Sequence, residues 1–150
     1  GLYRSKDKGE TWEKVNKTRL FLYPKDFSVH PQDSNHILIG TCDASWEDKS
    51  GGLYRTYDGG ETWERIGRKG RQTFGGYFHP KYEGWIYMTL TEGAPGAGLW
   101  LSRDNGRTWE PFNDLPFSNI QRVVFDPENE SAIYVTTFGG SVWHGPLVPH

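Results

Sequence analysis

The chain has 150 residues, with 17 Lys and Arg against 19 Asp and Glu, and a formal net charge of −2. That near-neutral balance carries no electrostatic footprint for nucleic acid, and no apolar run reaches membrane-spanning length. Aromatic residues make up 15% and glycines number 19, a mixture that suits a turn-rich all-β protein and argues against disorder.

Residues 1–15 read as strand, turn, strand, with the turn at Ser5-Lys6-Asp7-Lys8-Gly9-Glu10-Thr11-Trp12. Lys17 to Asp26 is a polar connection, Phe27-Ser28-Val29-His30-Pro31 a short strand stopped by its proline, and Gln32 to Asn35 a turn. His36 to Thr41 is the next strand, followed by an insertion from Cys42 to Gly51. The opening pattern then returns as Thr56-Tyr57-Asp58-Gly59-Gly60-Glu61-Thr62-Trp63. A second round follows: connection Arg68 to Gly76, strand Tyr77 to Pro80, turn Lys81 to Gly84, strand Trp85 to Thr91, and loop Glu92 to Ala97. It ends in Ser102-Arg103-Asp104-Asn105-Gly106-Arg107-Thr108-Trp109. In the last round Val123 to Pro127 and Ala132 to Phe138 are strands, and Gly140 to His144 stands where a third return is expected but carries no such turn.

The octapeptide defines a hairpin. Its Asp accepts hydrogen bonds from turn N–H groups, its Gly supplies a backbone angle that other residues reach only at a cost, and its Trp plugs the gap to a neighbouring sheet. Asp7, Asp58 and Asp104 lie 51 and 46 residues apart, which fits one four-stranded unit per repeat. With strands labelled A to D, the chain reads C-D, A-B-C-D, A-B-C-D, A-B-C. The pieces are 1–16, 17–67, 68–113 and 114–150 of a single partial domain. Gly1 aligns with Gly52 and no initiator Met or signal peptide precedes it, so the sequence reads as a piece of a longer protein or a processed product of one.

The three octapeptides resemble the Asp-box, or BNR, repeat of sialidase-like β-propellers. The resemblance implies a partial propeller of about three and a half four-stranded antiparallel blades at the C-terminal end of a ring. Its remaining blades come from the parent chain or from other copies. Endings like Val135-Thr136-Thr137-Phe138-Gly139-Gly140-Ser141-Val142-Trp143 are similar to those of secreted glycoside-hydrolase-like proteins of the xyloglucanase type. The sialidase Arg-Ile-Pro signature is absent, and no catalytic Asp carries over residue by residue.

Because antiparallel turns alternate between the ends of a blade, the Asp-box shares an end with the A–B turns, and the B–C and D–A loops form the other. That loop end is the expected working face. The D–A set offers Arg19, Tyr23, Lys25, Asp26, Arg68, Lys69, Arg71, Gln72, Phe74, Phe117 and Asn119, and the B–C set Asp43, Trp46, Glu47, Asp48, Glu92 and the stretch near Phe138. Aromatic faces for sugar C–H groups, cationic forks for hydroxyls and carboxylates for hydrolysis are what a glycan site needs, and ordinary solvated loops also carry charge. Asp43, Glu47 and Glu92 are the acid–base candidates, while Arg19, Tyr23, Trp46, Arg68, Arg71 and Phe74 are the binding candidates. Trp46 either serves as a sugar platform or folds back over its blade.

Asp43, Glu47 and Asp48 match no calcium-loop spacing. His30, His79 and Asp126 hold the same position in three blades, too far apart to converge on one metal and suited to capping the A–B turns. No metal and no cofactor are expected. Asn16 and Asn129 begin sequons of low specificity, and Cys42, the single cysteine, excludes an intrachain disulfide and leaves the redox compartment open. A secreted, carbohydrate-active propeller arc is the first reading. A protein-binding or assembly propeller without catalysis is the alternative. The isolated arc, lacking the opposite wall of a channel, is expected to be inactive.

Overall fold

The computed structural model describes residues 1–15, 23–43, 50–67, 72–91, 96–113 and 115–149, and contains strands and no helix among them. The first sheet pairs β1 (Tyr3–Arg4) with β2 (Glu13–Lys14). The second runs β3 (Pro24–His30), β4 (Asp33–Thr41), β5 (Gly52–Thr56), β6 (Glu64–Arg65) in sequence order. The third repeats that order with β7 (Thr73–Phe78), β8 (Ile86–Leu90), β9 (Gly98–Ser102) and β10 (Glu110–Pro111). The last contains β11 (Ile120–Phe125), β12 (Ala132–Thr137) and β13 (Val142–Pro146). All pairings are antiparallel, and the first strands of successive four-stranded units adjoin, β3 against β7 and β7 against β11. This is an open arc of blades, as the repeats predict.

Boundaries differ from expectation. The A strands begin earlier, at Pro24, Thr73 and Ile120, so the last residues of the expected connections, Phe74 among them, are strand. β4 begins at Asp33, so most of the expected Gln32–Asn35 turn is strand, joined to His30 across a register shift. The outgoing strands are two residues long and start after the tryptophan, because Trp63 and Trp109 turn inward to fill the gap between sheets before pairing begins.

The core lies between blades. Leu38, Leu53, Ile86, Met88, Leu90 and Trp100 meet between the second and third sheets, with Ile66 and Trp109 closing the gap. Tyr87, Leu99, Leu101, Ile120, Ile133 and Val135 fill the next interface. Ile39 and Tyr54 receive Leu2 and Trp63 at the first. Trp12 departs from the expected plugging role and stays 65% exposed, since the described residues place no sheet on its outer side. Phe27 and Val29 are likewise exposed, because the first sheet contributes only β1 and β2 to cover them.

Each Asp-box also receives its predecessor. An added Cβ on Gly60 would meet Val15 Cγ1 at 2.0 Å, and one on Gly106 would meet Ile66 Cδ1 at 2.8 Å. Arg4 donates to the Gly59 carbonyl at 3.1 Å and Arg55 to the Asn105 carbonyl at 2.7 Å, one blade onward in each case. The equivalent of these arginines in the third sheet is Leu101, which cannot donate. There the buried Tyr87 hydroxyl donates instead to the Leu147 carbonyl at 2.8 Å. Leu147 occupies the turn position of Gly59 and Asn105: its N–H bonds the Ser131 carbonyl as theirs bond those of Asn35 and Gly84.

Candidate functional site

The loop end is built by two repeated devices. The residue after each B strand donates to the carbonyl just before the A strand of its own sheet: Cys42 to Tyr23 at 3.1 Å, Thr91 to Gln72 at 2.9 Å, Phe138 to Asn119 at 3.0 Å. An aromatic on each C strand then ties its own B–C loop. Tyr54 donates to the Ser50 carbonyl at 2.5 Å, Trp100 to Gly96 at 2.8 Å and Trp143 to Gly140 at 2.9 Å. These bonds hold loops that would otherwise move with little penalty.

The innermost strands carry a bulge at equivalent places, between Pro24 and Asp26, Thr73 and Gly75, and Ile120 and Arg122. Bulges re-aim side chains at rims. Here they set Asp26, Gly75 and Arg122 in a row across three blades. Arg122 Nε donates to Asp26 Oδ2 at 2.7 Å over the central glycine. The Tyr77 hydroxyl lies 2.9 Å from the same Asp26 oxygen and 3.0 Å from the Gln121 carbonyl. A Cβ on Gly75 would meet that hydroxyl at 2.3 Å, so only glycine leaves the bridge open. Burial and the adjacent Asp26 carboxylate push the Tyr77 hydroxyl well above its ordinary range, and Asp26 raises Arg122 further. Asp26 Oδ1 accepts the Phe27 N–H at 3.0 Å. With both oxygens engaged, Asp26 ties innermost strands together and is not a free catalytic carboxylate.

At the loop end a cleft of about 580 Å³ is bordered by Trp100, Phe112, Leu115, Pro116 and Phe117, from the third sheet and the connection that follows it. The Phe117 ring lies 4.9 Å from that of Trp143, and Phe138 is 71% exposed at the same end. Tyr23 is 52% exposed and Phe74 is half-buried on its bulge. The cleft offers aromatic faces, and the neighbouring rim offers an exposed guanidinium at Arg122.

The structure brings only part of the predicted set to this face. Arg19, Trp46, Glu47, Arg68, Arg71 and Glu92 lie outside the described residues. Asp43 is present, and it accepts the Gly51 N–H at 2.7 Å, closing the base of the insertion. The Asp26–Tyr77–Arg122 bridge as a unit was missed by the sequence reading. Its signal is an acid and a base at equivalent positions two blades apart with a glycine between, visible only once the repeats are aligned.

The Asp-boxes are internally hydrogen-bonded turns. In the second copy Asp58 accepts the Thr62 N–H at 2.9 Å, the Thr62 hydroxyl at 2.5 Å and the Thr56 hydroxyl at 2.7 Å, and Thr56 Oγ1 accepts the Gly60 N–H at 3.0 Å. Asp7 and Asp104 repeat the arrangement through Ser5 and Thr11, and through Ser102 and Thr108. The threonine hydroxyls hold the Asp7 and Asp104 carboxyls down to about 2, and Asp58 is lowered further for the same reason. His79 Nδ1 accepts from Lys81 and Tyr82, His30 Nδ1 from Gln32, and Asp126 from Glu128 and Asn129, so all three cap A–B turns. No group of three or more metal-ligating side chains forms among the described residues.

Comparison with known proteins fits this architecture. The BNR/Asp-box repeat model matches residues 54–65 and 100–111. A xyloglucanase of a Paenibacillus species is 28% identical over 141 residues, covering 88% of this chain and 13% of that protein. An oligoxyloglucan-reducing end-specific xyloglucanase of Emericella nidulans is 30% identical over 106 residues, 67% of this chain and 12% of the relative. The chain thus spans about an eighth of the length of these relatives. A crystal structure of a GH74 enzyme from Niastella koreensis superposes with a TM-score of 0.73 at 21% identity, over 97% of this chain and 24% of that one. The repeated turns, the blade order and these likenesses together make the chain a sector of an Asp-box β-propeller that is similar in sequence to xyloglucanases.

Proposed function

We propose that this chain is an arc of a carbohydrate-active propeller whose loop end contributes a wall to a glycan site. The aromatic cleft at Trp100, Phe112 and Phe117 carries the reading. It lies at the end where B–C and D–A loops meet, and flat apolar rings beside a few charged groups are what sugar rings pack against. Similarity to xyloglucanases favours a β-glucan backbone as the ligand class. Tyr23, Phe74 and Phe138 would extend that wall, with Arg19, Trp46, Arg68 and Arg71 added from the adjoining loops. This reading places the protein outside the cell or at its surface.

Acid–base chemistry is assigned to groups facing this arc together with the candidates Glu47 and Glu92. Asp43 closes the base of its loop through Oδ1. The test is binding and release of xyloglucan oligosaccharides by the longest polypeptide that carries this sequence. Phe117→Ala is expected to weaken oligosaccharide binding about tenfold with little change in melting temperature. Unchanged binding in Phe117→Ala, Tyr23→Ala and Phe74→Ala would remove this face from the glycan site. The exposed apolar residues Phe27 and Val29 support the companion statement that further blades pack on the arc.

A further inference from the structure

A cavity of about 520 Å³ opens at the Asp-box end, away from the loop end, and is bordered by the second and third sheets and their turns. That volume lies within the range of small-ligand sites. Each sheet brings a group of stacked rings to its edge. In the second, the His30 and His36 ring centroids lie 5.1 Å apart and those of His36 and Tyr57 4.3 Å apart, with Phe78 of the third sheet edge-on to both imidazoles. In the third, Tyr82 stacks on His79 at 4.4 Å, with Trp85 4.9 Å from Tyr82. His36 and His79 are more than nine-tenths buried, whereas Tyr57 and Tyr82 in contact with them are 50% and 44% exposed. The cavity thus has a rigid imidazole backing and two accessible phenol faces.

The polar groups on its border are held in place. His79 Nδ1 accepts the Lys81 and Tyr82 N–H groups and His30 Nδ1 accepts that of Gln32, so the neutral rings carry their proton on Nε2. Burial lowers His36 and His79, which keeps both rings neutral at pH 7. His36 Nε2 has no hydrogen-bond partner among the described residues. Asn105 donates to the Tyr57 hydroxyl at 3.0 Å. Asp104 has both oxygens engaged by Ser102 and Thr108. Asp33 and Glu83 are therefore the acceptors on the border, and Arg107 is the guanidinium donor. The carboxylates disfavour an anion, and the imidazole and guanidinium N–H groups disfavour a cation. An uncharged ligand with hydroxyls around an apolar ring face suits both.

We propose that this cavity is a second saccharide-binding site, separate from the loop end. Tyr57 and Tyr82 pack on the sugar ring, while Asp33, Glu83 and Arg107 hold its hydroxyls. The site itself does not depend on the function proposed above; only the choice of β-glucans among its probes does.

The experiment titrates the 150-residue chain with xyloglucan, cellulose and mannan oligosaccharides and follows amide chemical shifts. Saturable shifts at Tyr57, Tyr82, Glu83 and Asn105 are expected with at least one of the three. Tyr82→Ala is expected to weaken that binding about tenfold, and Phe117→Ala to leave it unchanged. Glu83→Ala and Arg107→Ala alter exposed side chains outside the core and are expected to weaken it about threefold each. Shifts at this end with a silent loop end uphold the second site and count against the function proposed above. Shifts at the loop end alone do the reverse. The proposal is also overturned if choline or inorganic phosphate saturates the same amides more tightly than every saccharide, or if folded Glu83→Ala and Arg107→Ala proteins bind as the unaltered chain does.

Discussion

At the scale of single residues, the three Asp-box turns hold two successive left-handed residues each: Lys8 and Gly9, Gly59 and Gly60, Asn105 and Gly106. Glycine and asparagine reach that region readily, whereas lysine is strained there. Lys8→Gly is therefore expected to raise stability by up to about 1 kcal/mol, measured by denaturant titration. Gly60→Ala should have the opposite sign. Its φ is +103° and the added carbon would run into Val15, so a loss of about 2 kcal/mol is expected.

Stability also carries a pH signature at this scale. His36 is buried between the His30 and Tyr57 rings, its Nε2 lacks a hydrogen-bond partner, and burial lowers it from 6.5 to about 4. A depressed histidine is neutral when folded, so its contribution is complete above 6.5 and is lost as pH falls toward 4. The Asp-box carboxyls are depressed from 3.8 to about 2, so theirs persists above 4 and is lost below it. The denaturation midpoint should fall in two steps on acidification, and His36→Phe should flatten the upper one. A His36→Phe protein retaining the upper step unchanged would assign that step to another group.

At the scale of elements, blades are joined by a side chain reaching forward to the next turn carbonyl, and the donor changes where the sequence changes. Arg4 and Arg55 serve the first two junctions, and Tyr87 serves the third because Leu101 has taken the arginine's place. Tyr87→Phe leaves the Leu147 carbonyl without that donor and should lower stability by about 1–2 kcal/mol. Arg55→Leu should lower it by a similar amount, since that side chain is only 11% exposed and donates to the Asn105 carbonyl, while its pair with the exposed Glu64 adds little. The element order was legible because each strand is bracketed by Pro, Gly or Asx turns and each hairpin repeats one motif. The alternating burial of β3, against the continuous burial of β8 and β9, was not legible. It depends on which faces neighbouring sheets cover, a property of arrangement and not of any local window. The same limit explains the site. Tyr23 and Phe74 were visible as aromatics in polar connections, whereas the Asp26–Arg122 bridge depends on three aligned bulges that no single repeat reveals.

For the molecule as a whole, burial is graded along the arc. β8 and β9 are fully buried, with neighbours on both sides, while β1 and β2 are a two-residue pair and β13 is an exposed edge. Local opening free energies follow such gradients, because a unit with few buried contacts opens without disturbing the rest. Amide exchange should therefore be slowest at Tyr87, Met88 and Leu101. It should be faster by about two orders of magnitude or more at Arg4, Lys14 and His144. The expected profile is a ridge centred on the third sheet with both flanks low. Uniform protection along the chain would mean that the blades unfold as one unit, and the interfaces would then be stronger than the sheets they join. A ridge instead makes each interface the weak step, so a longer polypeptide carrying this arc gains rigidity at the loop end by covering β3 and β13. That rigidity would hold the aromatic cleft at Trp100, Phe112 and Phe117 at a fixed width.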